Sequence, residues 1–206
     1  MNQFTIEPNQ FLNISIKAFY HSDYFGGGDR WRIGGTIENV ICTLKNDITP
    51  FPETVLQIAV QNLSKILSND LPEIQRLTRL NNLTVCVVPR AKVNYNPNQL
   101  LFKSTIHNVV NQLGIFNNGI DFITRHKDTR TTHRDRVGFG GNGDLPYPGI
   151  TKDTCNISTV VRNSNILLID DLYTKTVNVD EDAIQALLDA GANSVTFYAI
   201  GKNVYR

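Results

Sequence analysis

Two adjacent carboxylates, Asp170 and Asp171, stand between the apolar run Ile166 to Ile169 and a stretch of hydroxyls and amides, Leu-Tyr-Thr-Lys-Thr-Val-Asn, ending at Asn178. A strand buried on both faces reads as such a continuous apolar run. The acids then fall where the strand leaves the core, the end that borders the ligand crevice of an open α/β sheet. Behind them, Val179 to Ala190 reads as a helix. A loop feeding a helix N-terminus gathers unpaired N–H groups and partial positive charge, and so favours a phosphate. The acids can accept hydrogen bonds from the vicinal hydroxyls of a sugar, directly or through a divalent cation. A phosphorylated sugar would satisfy both halves. The same residues also allow a strand, an acidic turn and a capped helix with no ligand.

Two further clusters carry positive charge in comparable places. Leu83 to Val88 is a second apolar strand, stopped by Pro89 and followed by Arg90 and Lys92. At the carboxyl end of a strand these cations can meet a polyphosphate, or they are solvated surface charges. Gly119 to Thr124 reads as the next strand, and Arg125 to Arg136 after it holds five Arg or Lys, including Arg125, Lys127 and Arg130, with His126 and His133. A charged run is usually a solvated loop. Placed after a strand and before the glycine-rich VGFGGNGD, it can also cover a polyanion.

The elements that position these residues follow from periodicity. Phe11 to Tyr20 alternates Leu12, Ile14, Ile16 and Ala18 with polar residues, the pattern of a half-buried edge strand. Thr36 to Asn46 and Pro52 to Asn69 carry apolar residues at three- and four-residue steps, as does Leu100 to Leu113 before Gly114. All three read as amphipathic helices. Ser194 to Ile200 supplies a last strand. Strands alternating with helices predict an α/β fold with a mostly parallel sheet. Gly26-Gly27-Gly28 lacks the spacing of a phosphate loop and reads as a turn. Tyr24 and Trp31 beside it can cover a bound ring.

Composition sets limits. The 206 residues, 41% of them hydrophobic, suffice for one domain, with 1–50 as an N-terminal strand and hood region and 51–206 as the core. A formal net charge of +1 gives no basic field for nucleic acid or a membrane surface. Cys42, Cys86 and Cys155 are far apart and lack metal-ligand spacing. With no apolar run near the length of a membrane span and no leader pattern at the start, the default expectation is a cytoplasmic protein, and a homodimer is the commonest assembly.

ILLI-DD-LY-TKTVN resembles the phosphoribosyl pyrophosphate (PRPP) motif of type I phosphoribosyltransferases, four apolar residues, two acids, two variable residues and Thr-Thr-Gly-x-Thr. The order of other segments is similar to the ComF-like branch: Tyr24, then Leu44-Lys45-Asn46, then VVPRAKVNYNPNQ, then TRHKDTRTTHR and the Leu-x-x-Ala-Gly-Ala after the motif. The N-terminal zinc cysteines of that branch are missing. Lys175 replaces the second Thr and Thr176 the Gly, so a positive φ required there would fall on a β-branched residue.

The resemblance implies a type I phosphoribosyltransferase-like fold and phosphoribosyl transfer from PRPP, with Mg²⁺, to a nitrogen nucleophile: a base, an amine or ammonia. Asp170 and Asp171 would take the ribose and the metal, and Thr174, Lys175, Thr176, Val177 and Asn178 the 5′-phosphate. Arg90, Lys92, Arg125, Lys127 and Arg130 would meet the pyrophosphate. A module of the same fold that senses PRPP or a nucleotide without turnover is the alternative.

Overall fold

A computed structural model of the chain describes residues 1–47, 50–129 and 154–204. Eight strands and four α-helices are found among them: β1 (Asn2–Ile6), β2 (Ile16–Tyr24), α1 (Ile37–Lys45), α2 (Glu53–Thr78), β3 (Thr84–Val87), α3 (Leu101–Leu113), β4 (Asn117–Asn118), β5 (Ile123–Arg125), β6 (Cys155–Ile157), β7 (Asn165–Tyr173), α4 (Val179–Asp189) and β8 (Ser194–Asn203). Six strands form one sheet in the order β1-β2-β8-β7-β3-β4. Only β1 runs antiparallel to its neighbour; the β2, β8, β7, β3 and β4 pairings are parallel. The fold is α/β with a central, mostly parallel sheet.

Strand periodicity of two splits the core into layers. Phe19, Val85, Val87, Leu167, Ile169, Tyr198 and Ile200 pack on one face with α1, α2 and α3. Ala18, Cys86, Ile166, Leu168, Phe197 and Ala199 pack on the other with Ala183, Ile184 and Leu187 of α4. Strand β7, between β8 and β3, therefore has helices over both faces, which explains its unbroken apolar run. Among the described residues no helix is long and apolar enough to cross a membrane.

Four local expectations are corrected. The alternating N-terminal segment becomes a strand only from Ile16. Before it, the Asn9 side chain accepts hydrogen bonds from the Phe11 and Leu12 amides and turns the chain, leaving Ile14 50% exposed. The outer strand is β1 instead, and β2 is paired on both sides. Helix α2 runs on past Asn69 because Leu71 and Ile74 continue the buried stripe and Asp70, which interrupts it, is satisfied by His21 Nδ1 at 2.9 Å and the Tyr198 hydroxyl at 2.8 Å. Gly119 to Phe122 is a turn rather than a strand, and β5 pairs with β6 in a separate antiparallel ribbon.

That turn leaves no room for a side chain. A Cβ on Gly119 would lie 2.6 Å from Thr84 Cγ2 and 2.9 Å from Phe122 Cδ2. Gly119→Ala is expected to cost about 1–3 kcal/mol, an overpacking penalty, read from a urea denaturation midpoint. An unchanged midpoint would show that the sheet edge yields freely. Strand β7 likewise does not end at Ile169 but runs to Tyr173.

Candidate functional site

Strand β7 carries Asp170 and Asp171 within its length and continues to Tyr173. Its pairing with β3 stops at Ile169, whose carbonyl accepts the Val88 amide, while its pairing with β8 runs on to Tyr173. Past Val88 the chain turns away at Pro89, which has no N–H to give. The acids thus stand on a stretch of strand flanked on one side only, at the carboxyl end of the sheet.

Because neighbouring strand residues point to opposite faces, the two carboxylates do not lie side by side. Asp171 points to the α1 side, 20% exposed, with the Lys45 ammonium 3.1 Å from its Oδ1. Burial alone would depress the Lys45 pKa, but the charges of Asp171 and Asp170 outweigh it and raise it. Asp170 points to the α4 side and shares a hydrogen bond with Asp180. Its Oδ1 also accepts the Asp171 amide at 2.8 Å. Burial first, then the charge of Asp171, pushes the Asp170 carboxyl up to about 7. Asp180 is raised well above the ordinary carboxylate range by burial and by Asp170, so the pair shares a proton.

Asp180 and its neighbour Glu181 were not singled out from sequence, yet both are buried, at 3% and 1% exposure. Asp180, Ala183, Ile184 and Leu187 occupy positions i, i+3, i+4 and i+7, the buried stripe of α4. That spacing was the available signal. Glu181 accepts the Tyr173 hydroxyl at 2.9 Å, and Asp180 Oδ1 and Glu181 Oε2 have no hydrogen-bond partner.

The loop between β7 and α4 begins with a turn in which the Val177 amide donates to the Thr174 carbonyl at 3.0 Å. Thr174, Val177 and Asn178 are half-buried, and Lys175 and Thr176 are exposed. The single left-handed residue is Asn178, at φ 60°, and Thr176 keeps a negative φ. Asn tolerates that conformation far better than a β-branched residue. The Gly-to-Thr departure therefore stores no backbone strain at Thr176.

The cations gather around the loop after β3. The Arg90 guanidinium binds Asp47, donates to the Lys45 and Gln99 carbonyls at 3.0 and 2.5 Å, and lies 4.2 Å from the Tyr95 ring centroid. It ties the end of α1 to the start of α3. Lys92 Nζ donates to the Thr129 carbonyl at 2.7 Å, and Arg125 Nε to the Arg90 carbonyl at 2.5 Å. Lys127 is exposed. Arg130, His133 and the glycine-rich stretch at 137–144 lie outside the described residues. Trp31 is 38% exposed with the Arg32 guanidinium 4.9 Å from its ring, and the Tyr24 hydroxyl lies 3.9 Å from Cys42 Sγ.

At the carboxyl end of the mostly parallel sheet an acidic pair is followed directly by a turn that opens α4. The chain is similar to a crystal structure of L. donovani hypoxanthine-guanine phosphoribosyl transferase. The match has a TM-score of 0.41 and 13% sequence identity, over 69% of this chain and 71% of that one. No protein-family model and no curated protein matches the sequence.

Among the described residues, no group of three or more His, Cys, Asp or Glu side chains is placed to hold a metal ion by itself. Mg²⁺ makes a smaller demand, one or two carboxylates completed by substrate oxygens and water. Asp171, part-exposed on the α1 side, supplies one hard oxygen donor of that kind and fits that smaller demand; Asp170 projects to the opposite face, toward Asp180.

Proposed function

We propose that the chain is a type I phosphoribosyltransferase of the ComF-like branch. It binds PRPP with Mg²⁺ at the end of β7 and transfers the phosphoribosyl group to a nitrogen nucleophile, a base, an amine or ammonia, releasing pyrophosphate. One observation carries this reading: the acid pair stands on the part of β7 that outruns β3, and a turn closed by left-handed Asn178 leads directly from it into the N-terminus of α4.

In this reading Asp170 and Asp171 accept hydrogen bonds from the ribose hydroxyls. The hydroxyls of Thr174 and Thr176 and the amides of Lys175, Val177 and Asn178 hold the 5′-phosphate, with the Lys175 ammonium free to swing onto it from its exposed position. Asp171 is also the residue that would hold Mg²⁺, which when bound neutralises charge on pyrophosphate. Lys45 then gives up or shares Asp171. Lys92, Arg125 and Lys127 would meet the leaving group from the loops after β3 and β5, and Arg130, given the same role, lies outside the described residues. Displacement at the anomeric carbon passes through oxocarbenium character, so positioning and charge neutralisation do most of the work.

A second reading, a sensor that binds PRPP or a nucleotide without turnover, is favoured by Arg90. Its guanidinium is committed to Asp47 and two backbone carbonyls, which removes one cation from the leaving group. Incubation with labelled PRPP, Mg²⁺, ammonia and a panel of bases separates the two. Pyrophosphate release with at least one acceptor is the expected result. Saturable PRPP binding with no release across the panel would favour the sensor.

A further inference from the structure

The turn between β1 and β2 reaches the loop that follows β7. Asn9 Oδ1 accepts the Phe11 backbone N–H at 2.7 Å and that of Leu12 at 3.1 Å, and the Asn9 backbone N–H closes the turn on the Leu12 carbonyl at 2.9 Å. With its side-chain oxygen so committed, Asn9 presents its NH₂ group outward, and that group donates to Asn178 Oδ1 at 3.0 Å. The two residues are 169 positions apart. The turn stands on a packed base, because Ile6, Leu12 and Ile16 are buried in the cluster that holds Ala183, Ile184 and Leu187 of α4. A second bond, from the Asn13 backbone N–H to Gln185 Oε1 at 2.9 Å, fixes it to the middle of α4.

Asn178 is where the loop changes direction. It is the left-handed residue, at φ 60°, that leads into α4, and its side chain makes no hydrogen bond to the first amides of that helix. An Asn at a helix start ordinarily turns its oxygen onto those amides. Here Asn9 holds the oxygen, so it does not compete with an anion for them. Within the loop, the Val177 amide donates to the Thr174 carbonyl, and Asn178 Nδ2 lies 3.5 Å from the Thr176 carbonyl. Among the described residues, the Asn9 bond is the one hydrogen bond that ties residues 174–178 to a segment other than α4.

We propose that Asn9 is a positioning residue for the 5′-phosphate: it holds Asn178 in the left-handed conformation, with the side-chain oxygen off the α4 amides. The inference rests on the reading of residues 174–178 as the phosphate loop.

The test is calorimetric titration of the full chain with ribose 5-phosphate and, separately, with Mg²⁺ and inorganic pyrophosphate. Asn9→Ala is expected to weaken ribose 5-phosphate binding about fivefold, the worth of one neutral hydrogen bond, and to leave pyrophosphate affinity unchanged. That variant keeps the buried Leu12 and the backbone bond of the turn, so it is expected to fold, and its thermal midpoint checks this. Asn178→Gly removes the acceptor without touching the turn and accepts the positive φ, so the same loss is expected from it. The double variant is expected to lose no more than either single one, because both act on one contact. Gln185→Ala cuts the other link of the turn and is expected to keep full affinity for both ligands. Undiminished ribose 5-phosphate affinity in Asn9→Ala or Asn178→Gly, an equal loss for pyrophosphate, additive losses in the double variant, or the same loss in Gln185→Ala would each overturn the proposal and leave the reading of the loop standing. A wild type that does not bind ribose 5-phosphate would overturn that reading and the proposal with it.

Discussion

Asp180→Asn is expected to raise the urea midpoint at pH 8 and to leave it nearly unchanged at pH 4, because burial and the charge of Asp170 oppose ionisation of the Asp180 carboxyl in the folded chain and an amide has no charge to suppress. The sign follows from the direction of the shifts. Asp170 is raised from 3.8 to about 7, and Asp180 is raised with it, both chiefly by burial. Between about pH 4 and 7 the folded chain keeps protons that the unfolded chain releases, so stability falls as pH rises through that window. Below it both states are protonated and the difference disappears. An Asn at 180 still donates to Asp170 but has no charge to suppress, so the gain belongs to the high-pH side. Urea midpoints at pH 4 and pH 8 decide it. Equal shifts at both, or destabilisation at pH 8, would show that Asp180 is not the strained member of the pair.

The sheet and helices were legible in the sequence wherever burial was two-sided or the apolar stripe was regular. Ile166 to Ile169 and Leu83 to Val88 needed no context, because only a strand covered on both faces is so uniformly apolar. What the pattern could not carry was the effect of partners distant in the chain. Asp70 reads as a polar stop in α2, and only His21 and Tyr198, 49 and 128 positions away, make it a buried stripe residue. Ile14 alternates correctly but is turned out by the Asn9 side chain. Gly119 begins an apolar stretch, yet crowding by Thr84 and Phe122 fixes a turn there.

The candidate site shows the same division. Asp170 and Asp171 were found by their place in the order strand, acids, hydroxyls, helix. Their projection to opposite faces follows from strand periodicity once β7 is known to run to Tyr173, a length that its pairing with β8 decides. Asp180 was legible from its spacing to Ala183, Ile184 and Leu187. The use of Asn178 rather than Thr176 for the left-handed position follows from the tolerance of Asn for that conformation, although a motif match draws the eye to the missing glycine. The commitment of Arg90 to Asp47 was not legible, since the two are 43 positions apart and no local pattern links them.

Asp170→Asn with Asp171→Asn is expected to weaken Mg²⁺-dependent PRPP binding at least about a hundredfold, since two charge-assisted contacts of about 1.5–3 kcal/mol each are lost. The loss of Asp171 also strips Lys45 of its ion pair, and a half-buried ammonium left alone costs stability. Lys45→Met in the same background removes that orphan, so the three-site variant is expected to keep its fold while still lacking both carboxylates. Circular dichroism and the thermal midpoint establish that the variants are folded. Wild-type affinity is expected to rise with pH until Asp170 is ionised, near pH 7, and then to level off.

Calorimetric titration of Mg²⁺ and PRPP at pH 8 into the wild-type chain and the folded Asp170→Asn, Asp171→Asn, Lys45→Met variant tests the central claim most directly. The account predicts saturable, Mg²⁺-dependent heat with the wild type and none with the variant at the same concentrations. Equal affinity in the two proteins, or a wild type that takes up no PRPP, would contradict it.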